Sequence, residues 1–441
     1  MEKRQKKYTG YSNKKTVQKE NPVKNSVDGR IVAMNEYGDG EIHGNRRTIK
    51  VARTVVGDQV RVKIPVSDKS YMYGELVSLL KPSEKRVDPA CASFLDGCGG
   101  CQWLHFDYQE QLKWKTKILR DILKQRLSSP VKVCEIIPME FPFAYRNKLS
   151  LRNVNGTFVN MQDFDDKTIT AKNCRVETEA NQKVRAILGT VKVPSDIQQL
   201  HCRSTPDGSV GIHLFVNKVS NMVKEFSDFC SSTVARCAGI GAQTRNSYEL
   251  LYGKNFLTYS YKSIRYTIPL NGFFQTNYVQ AEKLLEIALE QLKGSKTDTA
   301  LDLYCGCGFF TLPMAQQMKQ VIGIENNAAS TENAQENAKV NHLNTIKFLT
   351  GDASVVMRGM KKESFDSVLL DPPRAGCDEQ VLQALIAMAP KKIVYISCSP
   401  SSLARDLKVL TKVYDVTYCQ PIDMFPHTSH METVVTLKPK R

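Results

Sequence analysis

The sequence predicts a multidomain α/β protein. A small OB-like β-barrel comes first, then a mixed α+β central domain, then a C-terminal Rossmann-like domain on a mainly parallel sheet. Three observations predict this. Residues 27–82 run as short alternating stretches broken by Gly, Asn and Asp, at the spacing of barrel strands. From about Asn271, buried-strand patterns alternate with helical ones, the signature of a parallel sheet covered on both faces. Between the two lies PACASFLDGCGGCQW, dense in cysteine, followed by a segment of clear helical period.

Composition narrows the partners. The chain has 441 residues and a net charge of +16, with pI near 9.2. That balance points to an anionic partner, most simply nucleic acid met through its phosphates. No apolar run is long enough to span a bilayer, and MEKRQKKYTG lacks the apolar core of a secretory signal, so a cytoplasmic monomer is expected. In that reducing compartment thirteen cysteines are not expected to form disulfides. Clustered ones point to a metal or iron–sulfur site, isolated ones to packing or nucleophilic catalysis.

Residues 1–25 are rich in Lys, Asn and Gln and read as a disordered basic tail. Residues 26–84 form the barrel. There Arg46, Arg47, Lys50, Arg53, Arg61 and Lys63 lie among Tyr37, Tyr71 and Tyr73, a mixture that suits bases stacked on rings and phosphates met by cations. Residues 85–268 form the central domain, opened by the helix in FDYQEQLKWKTKILRDILKQRL and then mixing short strands and helices. Residues 269–441 carry strands in TALDLYCGCG, QVIGIENN, IKFLTGD, DSVLLDPPRAG, KKIVYISCSP and METVVTLKP.

Three constellations carry chemistry. Asp302 ends an apolar run, and Gly306-x-Gly308 follows before a helix, so the backbone can turn tightly and approach a ligand. Glu325 lies 23 positions on, at the next strand end, where an acid binds ribose hydroxyls. A full GxGxxG is missing, and the later DPPR fits S-adenosylmethionine better than a dinucleotide. Cys91, Cys98 and Cys101 fall within eleven residues, and the glycines of CGGC allow two sulfurs to reach one metal. Zinc is satisfied by such ligands, whereas an iron–sulfur cube needs a fourth thiolate from elsewhere.

In the third, Cys398 ends a strand, Asp371-Pro-Pro-Arg374 ends the preceding one, and Glu432 opens the last. A thiol and a carboxylate beside a methyl donor fit one reaction. Carbon 5 of uracil is a poor nucleophile until a thiolate adds at carbon 6. After methylation a base must remove the carbon 5 proton so that the thiol can leave.

These motifs resemble the iron–sulfur RNA uracil-5-methyltransferases, most closely the 23S ribosomal RNA group with its tRNA relatives. The resemblance covers roughly residues 26–441 and rests on CGGCQW, NGFFQTN, LDLYCGCG, LLDPPRAG, YISCSPSSLARDL and FPHTSHMETV. It implies a TRAM RNA-binding barrel, a class I methyltransferase domain, and a 4Fe-4S cluster on Cys91, Cys98, Cys101 and Cys174. It implies S-adenosylmethionine contacts at Gln275, Tyr304, Glu325, Asp352 and Asp371, with Phe274 against the target base. Cys398 matches the nucleophile and Glu432 the base. The implied partner is RNA, ribosomal before transfer RNA, with the target uridine flipped from its stack.

Three positions depart from the family pattern. Six residues separate Cys91 from Cys98 where five are usual; Phe309 stands where Asn is frequent; Ser399 follows the nucleophile where Asn or Asp is common. Other readings fare worse. A 5-methylcytosine enzyme resembles this one but has a second cysteine just after the DPP prolines, whereas Cys377 lies four residues past Pro373. Amino-methylating enzymes often have an aromatic where Arg374 stands. An RNA-binding protein with a decayed methylase domain would not be expected to keep Cys398, Asp371 and Glu432 together.

Overall fold

Runs such as TALDL, SVLL and KIVYIS are apolar on both sides of the pleat, so they are stable only with both faces covered. In the computed structural model, which describes residues 26–44, 47–64, 71–160, 169, 173–360 and 365–440, they form the C-terminal sheet. Its strands are β1 (Thr299–Leu303), β2 (Gln320–Glu325), β3 (Ile346–Thr350), β4 (Ser367–Leu370), β5 (Lys392–Ser397), β6 (Tyr414–Ile422) and β7 (Glu432–Pro439). Their spatial order is β3-β2-β1-β4-β5-β7-β6. β1 to β5 are parallel, and β7 slots antiparallel between β5 and β6. Chain order reverses between β1 and β4, the place where open α/β sheets leave a crevice at their carboxyl edge.

Each face is buried by residues from beyond the regular domain. One core joins the sheet to Leu112, Leu119 and Leu123 of the helix Tyr108–Arg126. The other joins it to the helix Tyr278–Leu292 and to the hairpin Phe256–Tyr261/Ile264–Pro269. Packing therefore crosses the sequence-drawn boundary at 268/269. An amphipathic helix or hairpin shows that it has a buried face, not which sheet covers it.

The N-terminal strands Ser26–Arg30, Gln59–Lys63, Tyr71–Lys81, Thr48–Val51, Gly40–His43 and Ala33–Met34 are hydrogen-bonded in that order. The first and last are consecutive in the chain, and Ile31 and Val32 between them bond to Asp58 and Glu41, so the sheet curls on itself. Val51, Val60 and Val62 fill it, and Trp103 and Phe106 close one end. The basic tail, Arg46 and the side chain of Tyr71 lie outside the described residues.

The central region contains a six-stranded sheet, in the order Tyr248–Gly253, Cys237–Gln243, Val210–Val216, Ile197–Ser204, Lys148–Val154 and Thr157–Asn160. Helices Glu179–Leu188 and Asn221–Thr233 cover one face around Leu149, Leu200, Ile212 and Ile240. Among the described residues, no helix is long and apolar enough to cross a membrane.

Candidate active site

The parallel strands end along one edge, and the sequence-selected residues stand there. Tyr304 follows β1, Glu325 ends β2, Asp371 follows β4, Cys398 follows β5 and Glu432 opens β7. Ser397 pairs with Thr433 in the β5–β7 ladder, so Cys398 and Glu432 are one step beyond the last pair, side by side. Asp352 caps the helix Ala353–Met357 after β3, accepting from the backbone N–H of Ser354 and Val355.

Burial and like charges shape this edge. Glu432 is buried, its Oε2 has no hydrogen-bond partner among the described residues, and its carboxyl is pushed well up, first by burial and then by Asp371. Burial raises Asp371 to about 7. The Cys398 thiol is pushed up to about 12, chiefly by burial and then by Glu432; Arg374 opposes that rise. Burial and the charges of Arg374 and Lys115 hold His430 down to about 4, so its imidazole is neutral. Sequence reading gave Arg374 and His430 no role. Their flanking motifs were visible, but their closeness to the thiol and carboxylates is tertiary.

The cofactor loop is shaped by backbone as much as by side chains. Gly306 has φ +54°, and a Cβ there would meet only open space, which leaves room for a ligand. Gly308 has φ +85°, and a Cβ there would collide with Leu312, so the second glycine serves helix packing. Glu325 accepts from Gly306 N at 3.1 Å and from Asn327 N at 2.8 Å, which fixes the loop against the acid. Asp302 is fully buried beneath it. It accepts from the Thr311 hydroxyl, has Oδ1 unpaired, and is raised by burial to about 8. Gln275 is half-buried, its carbonyl held by Asn147 at 2.9 Å.

One expectation is corrected. Phe274 does not face a substrate: its ring is 1% exposed and packs against Tyr259, Tyr266, Tyr278 and Phe309. Its neighbour Phe273, 71% exposed, is the aromatic presented to solvent beside Gln275. Phe309 belongs to the same ring cluster, so the apolar residue at that position gains packing. Ser399 is the N-cap of the helix Pro400–Leu410, its hydroxyl accepting from Ser402 N, a duty Asn or Asp performs equally well.

The loop leading to Glu432 is anchored from below. Buried Lys115 donates to Asp423 and to the Phe425 carbonyl, and the Tyr108 hydroxyl donates to Asp423 at 2.7 Å. His427 N donates to Gln111 Oε1 at 3.0 Å. The barrel reaches the same place: Ser401 donates to the Glu36 carboxylate at 2.6 Å and Ser429 to the Glu36 carbonyl at 2.9 Å. Positions more than 360 apart in the chain thus meet on the helix that follows Cys398, and no sequence signal announces it.

Cys91, Cys98, Cys101 and Cys174 line one cavity of about 350 Å³, with Arg146, Lys148 and Arg185 on its wall. The extra residue before Cys98 does not remove Cys91 from it. Burial, then the sulfurs of Cys174 and Cys98, push the Cys101 thiol far up, and burial also raises Cys98 and Cys174, so these three thiols resist ionising without a compensating cation. Among the described residues, no three His, Cys, Asp or Glu side chains converge as a single ion requires.

Residues 234–440 match the family described as tRNA (uracil-5-)-methyltransferase. An uncharacterised RNA methyltransferase of Clostridium tetani is 30% identical over 96% of this chain and 98% of its own. One of Oceanobacillus iheyensis is 32% identical over 88% and 91%. Among solved structures, the Pyrococcus abyssi tRNA (uracil-54, C5)-methyltransferase bound to S-adenosyl-L-homocysteine superposes with TM-score 0.75 at 25% identity, covering 93% of this chain and all of that one. The chain belongs to the S-adenosylmethionine-dependent RNA (uracil-5-)-methyltransferase family.

Proposed function

We propose that this enzyme forms 5-methyluridine in large-subunit ribosomal RNA, with Cys398 as nucleophile and Glu432 as base. The observation that carries the chemistry is the β5–β7 register, which sets thiol and carboxylate side by side at the cofactor edge. The Cys398 thiol gives its proton to solvent, the thiolate adds to carbon 6 of uracil, and the π electrons shift so that carbon 5 takes the methyl group, releasing S-adenosylhomocysteine. S-adenosylmethionine supplies the methyl group and occupies the crevice formed by Gln275, Tyr304, Glu325, Asp352 and Asp371. Glu432 then takes the proton from carbon 5, the ring double bond re-forms, and the carbon–sulfur bond breaks to return the thiolate. Arg374 favours the ionised forms of both groups.

The four cysteines fit a 4Fe-4S cluster better than zinc. A tetrahedral ion needs every sulfur about 2.3 Å from one point. Thiols spread around the wall of a shared cavity suit a larger cube, with arginines and a lysine to offset its charge. Methyl transfer consumes no electrons, so the cluster's role is to brace the fold. The barrel is read as a TRAM module that grips RNA. Barrel and cluster together favour ribosomal RNA; the likeness to a tRNA enzyme supports uridine 54 of tRNA as the second reading.

The test is nucleoside analysis of rRNA and tRNA from cells lacking the protein. Loss of 5-methyluridine from large-subunit rRNA supports the first reading. Loss confined to tRNA replaces it with the second.

A further inference from the structure

The central sheet has one face covered by helices and one that is not. Strand register assigns the second face, on which Leu257 and Leu270 pack at Gly211 and which keeps Arg203 and His213 buried. Lys148 pairs with Arg203 and Ser150 with His201, while His201 pairs with His213 and Gln199 with Phe215. Gln243 pairs with Phe215 on one side and Tyr248 on the other, so these residues all point the same way. The rings form a continuous cluster: His213 lies 4.4 Å from Phe215 and 6.0 Å from Tyr248, and His201 lies 4.7 Å from Phe215. His201, Phe215 and Tyr248 are half-buried, and the Nε2 of His213, 4% exposed, has no partner among the described residues.

The charge of this face has one sign. Lys148, Arg152 and Arg203 stand at its paired positions and no carboxylate does. Lys148 makes no hydrogen bond or ion pair with a described residue, and burial together with Arg203 and Arg146 pushes its ammonium down. The face also runs into the active site. Arg203 donates to the carbonyls of Phe274 at 3.1 Å and Gly272 at 3.4 Å, in the loop that presents Phe273 and Gln275.

We infer that this face binds the single-stranded RNA flanking the target uridine, with bases stacked on His201, Phe215 and Tyr248 and phosphates met by Lys148 and Arg152, the half-buried cations of its strands. Rings of this kind accept any base, and RNA is gripped by stacking where it is unpaired. The burial of His201 and His213 holds their imidazoles near 4, so at neutral pH they act as neutral stacking rings. The inference rests on the RNA-methylating reading and extends it from the reacting base to the strand beside it. Lys148, Ser150 and His201 also border the cysteine cavity, so the test leaves them in place.

The probe is a fluorescein-labelled 20-nucleotide single-stranded RNA of mixed A and U, followed by anisotropy with the full chain. Phe215→Ala and Tyr248→Ala are each expected to weaken binding roughly 5- to 100-fold, the loss of one stacked base. A 20-base-pair duplex should show little change. Methylation of in vitro rRNA and tRNA transcripts should show a raised KM and an unchanged kcat. Because an alanine variant can unfold, the native chain is also photocrosslinked to the same RNA carrying 4-thiouridine, and crosslinks are expected within 199–215 and 243–248. Crosslinks confined to the barrel and the catalytic loops, or folded variants that bind as tightly as native enzyme, overturn the surface. A native enzyme that methylates neither transcript overturns the activity reading instead.

Discussion

Cys398 and Glu432 stand one step beyond the last residue pair of the β5–β7 ladder, Ser397 with Thr433, so the proposed nucleophile and base are held by the same hydrogen-bonded register. Neither depends on a mobile loop for its position, and each can be tested alone. Cys398→Ala should abolish 5-methyluridine formation while RNA affinity stays within about threefold, because the thiol is not among the groups that grip the strand. Glu432→Gln should lower turnover about 10²- to 10⁴-fold and trap a covalent protein–RNA adduct, since addition survives and elimination does not. A denaturing gel without a shifted band would remove Glu432 from the base role.

The pH dependence follows from the thiol. Burial and carboxylates hold Cys398 up to about 12, so at neutral pH the thiolate is a small fraction that grows with pH. Initial rates of methyl incorporation should therefore rise from pH 6 to 9. A flat profile would show that a group in the RNA complex takes up the proton.

Asp302 makes a stability prediction of opposite sign. Its folded value near 8 lies above the unfolded 3.8, so the folded state keeps a proton that the unfolded chain has lost. Its contribution is intact below about pH 4 and falls as pH rises toward 8. Asp302→Asn should raise Tm by several degrees at pH 8 and change it little at pH 4, by scanning calorimetry at both values.

The buried Lys115–Asp423 pair holds the loop that leads to Glu432. Lys115→Met strands a carboxylate in the core and should cost about 3–5 kcal/mol. Adding Asp423→Asn should recover part of that in a urea titration, because the orphaned charge is gone.

Iron analysis addresses the cysteine cavity. Protein purified without oxygen should contain about four irons per chain, and Cys101→Ser should lose most of them along with thermal stability. Zinc in their place would return the site to a single ion.

Much of this was legible in the chain. Alternation of buried strands and helices gave the parallel sheet, because strands covered on both faces must be apolar throughout. The glycines of CGCG gave the tight turn, because both sit at positive φ and Gly308 has no room for a Cβ beside Leu312. LLDPPRAG, YISCSP and HMETVV singled out Asp371, Cys398 and Glu432, and the sheet brings all three to one edge. Phe274 and Phe273 could not be told apart: two adjacent phenylalanines have the same composition, and only packing decides which ring is buried.

The sequence by itself thus determined the C-terminal parallel sheet, the glycine turn after its first strand and the methyltransferase family, each a matter of local spacing and side-chain chemistry. Tertiary structure alone decided the rest. It brought Glu36 of the barrel to Ser401, set Lys115 beneath the loop that leads to Glu432, gathered four separated thiols around one cavity, and left one face of the central sheet lined with rings and cations. These are contacts between elements distant in the chain. They arise because apolar faces must be buried somewhere, and periodicity states that a face exists without stating what will cover it.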